Sequence, residues 1–305
     1  MSWILIACLA PALWALTNHI DKYLTTRFFA NLERGVGALV IFTCITGLLG
    51  ALIILIFSPN VLAIPLISAL VLILSGVLLV LDYLPYMYAM QIGEASVVTS
   101  IYQTIPVFLY AMAFVVLGEK LSLWQIIGAC LIIGSSVVIT LEKKANEIKI
   151  QAKVFWLMLL ASLLCSTSLL LFKVVAISEN FWVSSFWEYS GWALTGLALF
   201  IFVPSYRRSF ISIIKKGRYQ VVSLGIFSEV MNIIAKILMN YAGLLAPLAL
   251  VWVINGLQPF FVFLFAVIFT CFLPWFGKEK FTKAIVIQKL SAMLVMLIGL
   301  YLIGK

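Results

Sequence analysis

Long apolar runs separated by short polar stretches fill this chain almost from end to end. A helix needs about 20 apolar residues to cross the hydrocarbon core of a bilayer. Ten runs approach or reach that length: 3–20, 35–57, 65–90, 95–117, 121–141, 154–177, 180–203, 219–243, 247–273 and 284–303. Backbone groups in lipid must pair within their own segment, which makes helices the default. Short alternating strands of the β-barrel kind do not occur in the pattern. The expected fold is an all-α polytopic membrane protein with ten transmembrane helices. Most connections are short. The longer ones are "EKKANEIKIQAK" at 142–153 and "SYRRSFISIIKKGRYQ" at 205–220. The first lies near the middle and divides the chain into five-span halves, 1–142 and 154–305, joined by a basic linker at 143–153.

The halves carry traces of a repeat. "YAMQIGEASVVTSIYQTIPVF" from Tyr88 and "YAGLLAPLALVWVINGLQPFF" from Tyr241 match Tyr88 to Tyr241, Ala89 to Ala242 and Pro106 to Pro259 without gaps. "GEKLS" at 118–122 is echoed by "GKEKFTK" at 277–283, and Lys22 falls against Lys173. Five is an odd number of crossings, so a second copy enters the membrane in the opposite sense. The expectation is a 5+5 inverted-topology repeat, the architecture in which solutes bind near the midplane between halves.

Composition removes the soluble alternatives. The 305 residues are 65% hydrophobic and 10% charged, with mean hydropathy +1.19, against about a quarter charged in a soluble domain. The net charge of +9 does not point to nucleic acid, because Lys and Arg sit almost wholly between apolar runs, where they set orientation. Loops after spans 1, 5, 7 and 9 hold Lys22, Arg27 and Arg34; Lys143, Lys144, Lys149 and Lys153; Arg207, Arg208, Lys215, Lys216 and Arg218; and Lys278, Lys280 and Lys283. The other side holds Lys120 and Lys305. The charge rule therefore puts both termini outside. Cys8, Cys44, Cys130, Cys165 and Cys271 lie within apolar segments with no CxxC, so neither a disulfide framework nor a metal site is suggested. The start lacks a basic n-region and does not read as a cleaved signal peptide. No residue pattern calls for a cofactor.

Ionisable residues inside spans are costly and point to function by default. In span 8, Glu229, Asn232, Lys236 and Asn240 recur at i, i+3, i+7 and i+11, one helical face. They read as a cavity wall, or as a polar seam in which Glu229 and Lys236 neutralise each other. Span 3 offers Asp82 and Tyr86 around Pro85, a residue that can kink the helix. Asp82 aligns beside the position matching Lys236, and an Asp–Lys pair there is either a lock opened by solute or proton, or a static packing device. Glu188 in span 7 is read as either interfacial or cavity-lining. Pro106 and Pro259 free the carbonyls of Tyr102 and Asn255, with Thr99, Gln103, Thr104 and Gln258 nearby. Tyr86, Tyr102 and Trp252 offer flat faces for a ring or an ammonium group. At the end of span 1, Asn18, His19, Asp21 and Lys22 either snorkel to the surface, as Lys173 does at the end of span 6, or form the polar entrance to a cavity.

Ten spans in two halves, "ALTNHIDKYL" with its lysine after span 1, and "YAMQIGEASVVTSIYQTIPVFLYAMAFVVLGEKLSLWQIIGACLIIGSS" resemble the drug/metabolite transporter superfamily, EamA-like branch. Residues 88–136 carry the likeness, and the second half fits loosely. The resemblance implies a secondary transporter with a central cavity lined by spans 1, 3, 4, 6, 8 and 9, resident in the lipid bilayer of a bacterial cytoplasmic (inner) membrane. Members of that family usually keep both termini in the cytoplasm, against the charge count here.

The expected function is alternating-access transport of a small polar metabolite, driven by protons or another gradient, with no enzyme chemistry. No GxxxxGK[ST] motif supplies direct ATP drive. A membrane-embedded lipid-modifying enzyme, or a passive channel or scaffold, is the alternative.

Overall fold

The computed structural model describes residues 2–28, 35–92, 98, 101–140, 152–216, 219–273 and 283–305. Among them the secondary structure is helical: α1 Ser2–Phe28, α2 Gly35–Phe57, α3 Leu66–Ile92, α4 Ile105–Leu117, α5 Leu123–Thr140, α6 Ala152–Ala176, α7 Phe181–Phe202, α8 Pro204–Lys216, α9 Tyr219–Leu245, α10 Leu248–Ile254, α11 Gln258–Phe272 and α12 Lys283–Ile303. Within the described residues, six stretches are long and apolar enough to cross a membrane: Trp3–Ile20, Leu66–Ala89, Ala152–Ala176, Ser223–Leu245, Leu248–Phe272 and Val286–Ile303. Exposed Leu, Ile, Val and Phe cover the outside of the bundle, among them Ile56, Phe57, Leu66 and Val115. In water such a surface would aggregate; facing acyl chains, it is at home. The chain is an integral membrane protein.

Local chemistry sets the helix ends. Ser122 and Gln125 form a reciprocal capping box at the start of α5: Gln125 N–H donates to Ser122 Oγ at 3.2 Å, and Ser122 N–H to Gln125 Oε1 at 3.0 Å. Asn180 caps α7 by accepting the Trp182 N–H at 2.8 Å. Gly118 closes α4 in the left-handed region, φ +67°, where a Cβ would be strained. The apolar run at 247–273, expected as one span, is broken. A 3-10 turn at Asn255–Leu257 separates α10 from α11, and Pro259 follows in the first turn of α11. Span 4 breaks in the corresponding place, at the turn of Gln103 and Thr104 before Pro106.

A second departure is α8. The stretch read as a connection forms a 13-residue helix. Its apolar side packs on α2 and α7, its Phe210 ring meets Phe200 edge-on at 6.1 Å, and the Tyr206 hydroxyl is hydrogen-bonded with Tyr88. A run this short and this basic escapes a search for spans, because its hydrophobic residues line only one face.

The principal packing partners are α3 with α6 and α7, α1 with α9, α2 with α7, and α5 with α12. Glycine lets several of these backbones touch, as lipid-embedded helices require when lipid tails are as apolar as leucine. A Cβ on Gly76 or Gly191 would strike the facing backbone at Glu188 and Ile73 respectively, so α3 and α7 cross in direct contact. On α5 and α12 the contact is reciprocal: a Cβ on Gly128 would sit 2.6 Å from Gly299 O, and one on Gly299 2.8 Å from Gly128 O. The linker residues up to 151 and "GKEKFT" at 277–282 lie outside the described residues.

Candidate functional site

Buried ionisable groups gather in the middle of this apolar bundle. Glu188 of α7 is fully buried and is the hub. Its Oε1 lies 3.3 Å from Lys236 Nζ on α9 and accepts the Ser75 hydroxyl of α3 at 3.2 Å. Its Oε2 accepts from Asn240 Nδ2 at 2.9 Å. Ser75 also donates to Ser168 O on α6 at 2.8 Å, and Ser168 returns a bond to Ser75 O at 2.8 Å. Two helices are thus stitched together through hydroxyls, and a carboxylate from a third is held against them. Lys236 has the ion pair and no hydrogen bond.

Asp82, 3% exposed, lies about two turns further along α3 than Ser75. It accepts the Tyr102 hydroxyl at 3.3 Å and is reached by the Cys165 thiol of α6. The Lys236 charge acts on it electrostatically, but the ion-pair partner of Lys236 is Glu188. The Asp–Lys pairing expected from the repeat is therefore a three-group arrangement. Tyr86 stands between Tyr83 and Tyr102, with ring centroids 5.9 and 5.3 Å away. Trp252 faces Trp14 at 6.1 Å.

The polar stripe on α9 faces inward. Lys236 and Asn240 are buried, Glu229 and Asn232 half-buried, while Val230, Ile234 and Tyr241 turn outward. Glu229 does not pair with Lys236. It is approached by the Thr43 and Thr46 hydroxyls of α2, at 3.2 and 3.1 Å. Pro85 is buried inside a continuous α3. At the break in span 9 the Asn255 Oδ1 is buried without a hydrogen-bond partner. Gln103 Oε1, at the break in span 4, lies 3.6 Å from where a Cβ on Gly256 would stand, so the two broken segments touch.

Asn18 and His19, neighbours within α1, face different surroundings. Asn18 is exposed. His19 is buried; its Nε2 donates to Val262 O at 2.9 Å, and its ring meets Phe269 edge-on at 5.2 Å. The side chains of Asp21 and Lys22, and all of Thr99, lie outside the described residues.

Lys173 does not snorkel. It is 6% exposed and donates to the Glu119 carboxylate and, at 2.7 Å, to Ala246 O. The other Glu119 oxygen accepts the Leu248 N–H at 2.9 Å. One ion pair thereby ties together the ends of α4, α6 and α9 and the start of α10.

Sequence reasoning left Glu188 unresolved and passed over Cys165, Ser75 and Ser168. A signal for Glu188 existed: Ser184, Glu188, Gly191 and Thr195 recur at i, i+4, i+7 and i+11, a stripe of small and polar residues that is wholly buried. Such stripes mark helix contacts in lipid.

The whole fold has a solved counterpart. A crystal structure shares it at TM-score 0.68 with 15% sequence identity, covering 99% of this chain and 96% of the other. In all, 27 solved chains match. No curated protein matches the chain. The family model that matches is that of the EamA-like transporter family, over residues 1–141. The matched residues 1–141, which supply Asp82, Tyr86 and Tyr102, are thus similar to the EamA-like transporter family.

Proposed function

We propose that this protein is a secondary-active transporter that carries a small polar metabolite by alternating access between two oppositely threaded five-helix halves. The observation that carries the reading is the buried central layer in which Asp82, Tyr102, Glu188 and Lys236 converge from α3, the segment before α4, α7 and α9. Ionisable groups placed there in an otherwise apolar bundle are the ordinary mark of a solute or proton path. The packing supports the two halves: α1 lies on α9 as α6 lies on α3, and α5 and α12 face each other. That is the pattern left by exchanging one half for the other. The touching breaks at Gln103 and Gly256 fit the same axis. Trp252, Asn255, Asn232 and Asn240 complete the candidate wall, and coupling to protons is part of the proposal.

The test begins with a thermal-shift screen of purified protein against metabolites, since a bound solute stabilises the folded state by mass action. Hits are then followed into proteoliposomes. Saturable flux of an unaltered solute, lost in Asp82→Asn and Glu188→Gln, is the expected result. Chemical conversion of the solute, or undiminished flux in both variants, would overturn the reading. The proposed location is a bacterial cytoplasmic membrane with both termini outside. Labelling of cysteines placed at 145 and 212 in intact cells reports the sidedness, and reactivity from the outside would reverse it.

A further inference from the structure

Carboxyl groups outnumber ammonium groups in the central layer. The buried acidic and lysine side chains among the described residues are Asp82, Glu188, Lys173 and Lys236. Lys173 is committed to Glu119 and Ala246 O at the helix ends. Lys236 stands 3.3 Å from Glu188. Asp82 is left with two neutral donors, the Tyr102 hydroxyl and the Cys165 thiol, and with only the more distant field of Lys236. The layer therefore holds two carboxylates against one ammonium. An uncompensated carboxylate away from water is costly, and one positive charge would balance it. The surroundings suit a particular kind of cation. Tyr102 donates to Asp82, the Tyr86 ring lies 5.3 Å from that of Tyr102 at a tilt, Tyr83 stacks on Tyr86, and the faces of such rings attract ammonium groups.

We propose that the central layer takes a monovalent organic cation, a protonated or quaternary amine, with Asp82 as its counter-ion and Tyr86 and Tyr102 as its aromatic wall. The inference rests on the transporter reading and adds the chemical class. It assigns Lys236 a different role from Asp82: Lys236 holds Glu188 in place and does not meet the solute's charge. An anionic metabolite would need the reverse, with Lys236 as its counter-ion.

The experiment uses full-length protein in nanodiscs and three probes of similar size: phenethylammonium, the zwitterion phenylalanine, and 3-phenylpropionate. Thermal shift and tyrosine fluorescence read binding. Phenethylammonium is expected to bind, and Asp82→Asn to weaken it about tenfold or more. Glu229→Gln, on Thr43 and Thr46 outside the layer, removes a carboxylate and keeps Asp82, so phenethylammonium should still bind within a few-fold of wild type. Size-exclusion profiles confirm that each variant folds. Binding of 3-phenylpropionate or phenylalanine in preference to the amine, loss of amine binding in Glu229→Gln, or unchanged amine binding in Asp82→Asn would each overturn the proposal. So would failure of the amine to bind wild-type protein. None of these outcomes touches the transporter reading, whose own test is saturable flux of any solute.

Discussion

Two buried lysines of this bundle are treated in opposite ways. Lys173, where helix ends meet, donates to a carboxylate and to a carbonyl, and that carboxylate spends its second oxygen on the Leu248 N–H. Every charge there has more than one fixed partner. Lys236, in the middle of the bundle, has one carboxylate at 3.3 Å, no hydrogen bond, and a second carboxylate within its field. The first arrangement is an anchor that fixes the ends of four helices. The second has slack. The same pair of residue types is thus held by several bonds in one place and by a single ion pair in the other, and the number of committed hydrogen bonds distinguishes them.

Breaking the anchor should have the largest effect. Lys173→Met leaves the half-buried Glu119 carboxylate with a single backbone donor, and should lower stability by about 3 kcal/mol, the scale for stranding one member of a largely buried pair. Thermal unfolding in detergent checks it; a negligible drop would mean that the pair is ornamental. In the slack pair, the neutralising double change Lys236→Met/Glu188→Gln should cost no more than about 1 kcal/mol, because removing both charges removes their desolvation penalty as well. A loss as large as that of Lys173→Met would erase the distinction between the two lysines. Glu229→Gln lies outside both arrangements. Thr43 and Thr46 can still donate to the amide oxygen, so the expected loss is about 0.6 kcal/mol, typical of hydrogen bonds between membrane helices.

Much of the frame was legible from the sequence because lipid leaves the chain few choices. The run 35–57 is helix α2 over the same residues, and of the evenly spaced Glu229, Asn232, Lys236 and Asn240 the last two are buried in α9 and the first two half-buried. What escaped depends on contacts between helices. Periodicity in α7 gave Glu188 a face, but its depth is set by the meeting of Gly76 and Gly191, which no single segment reveals. His19, a lone polar ring beside charged neighbours, read equally as an entrance; Val262 O, 243 positions away, decides where it points. Lys173 looked like any lysine at a helix end until Glu119 and Ala246 closed over it. The break of span 9 was signalled by Pro259, whereas α8 was hidden by its mixed composition.

The reciprocal glycine contact between α5 and α12 has a mechanical corollary. With carbonyl pressed against Cα on both sides, the two backbones meet directly, and Leu131, Ile132 and Ile303 close in around the contact. Prising these helices apart would open a void, and sliding them would drive backbone into backbone. The crossing therefore joins α5 and α12 into one stiff unit.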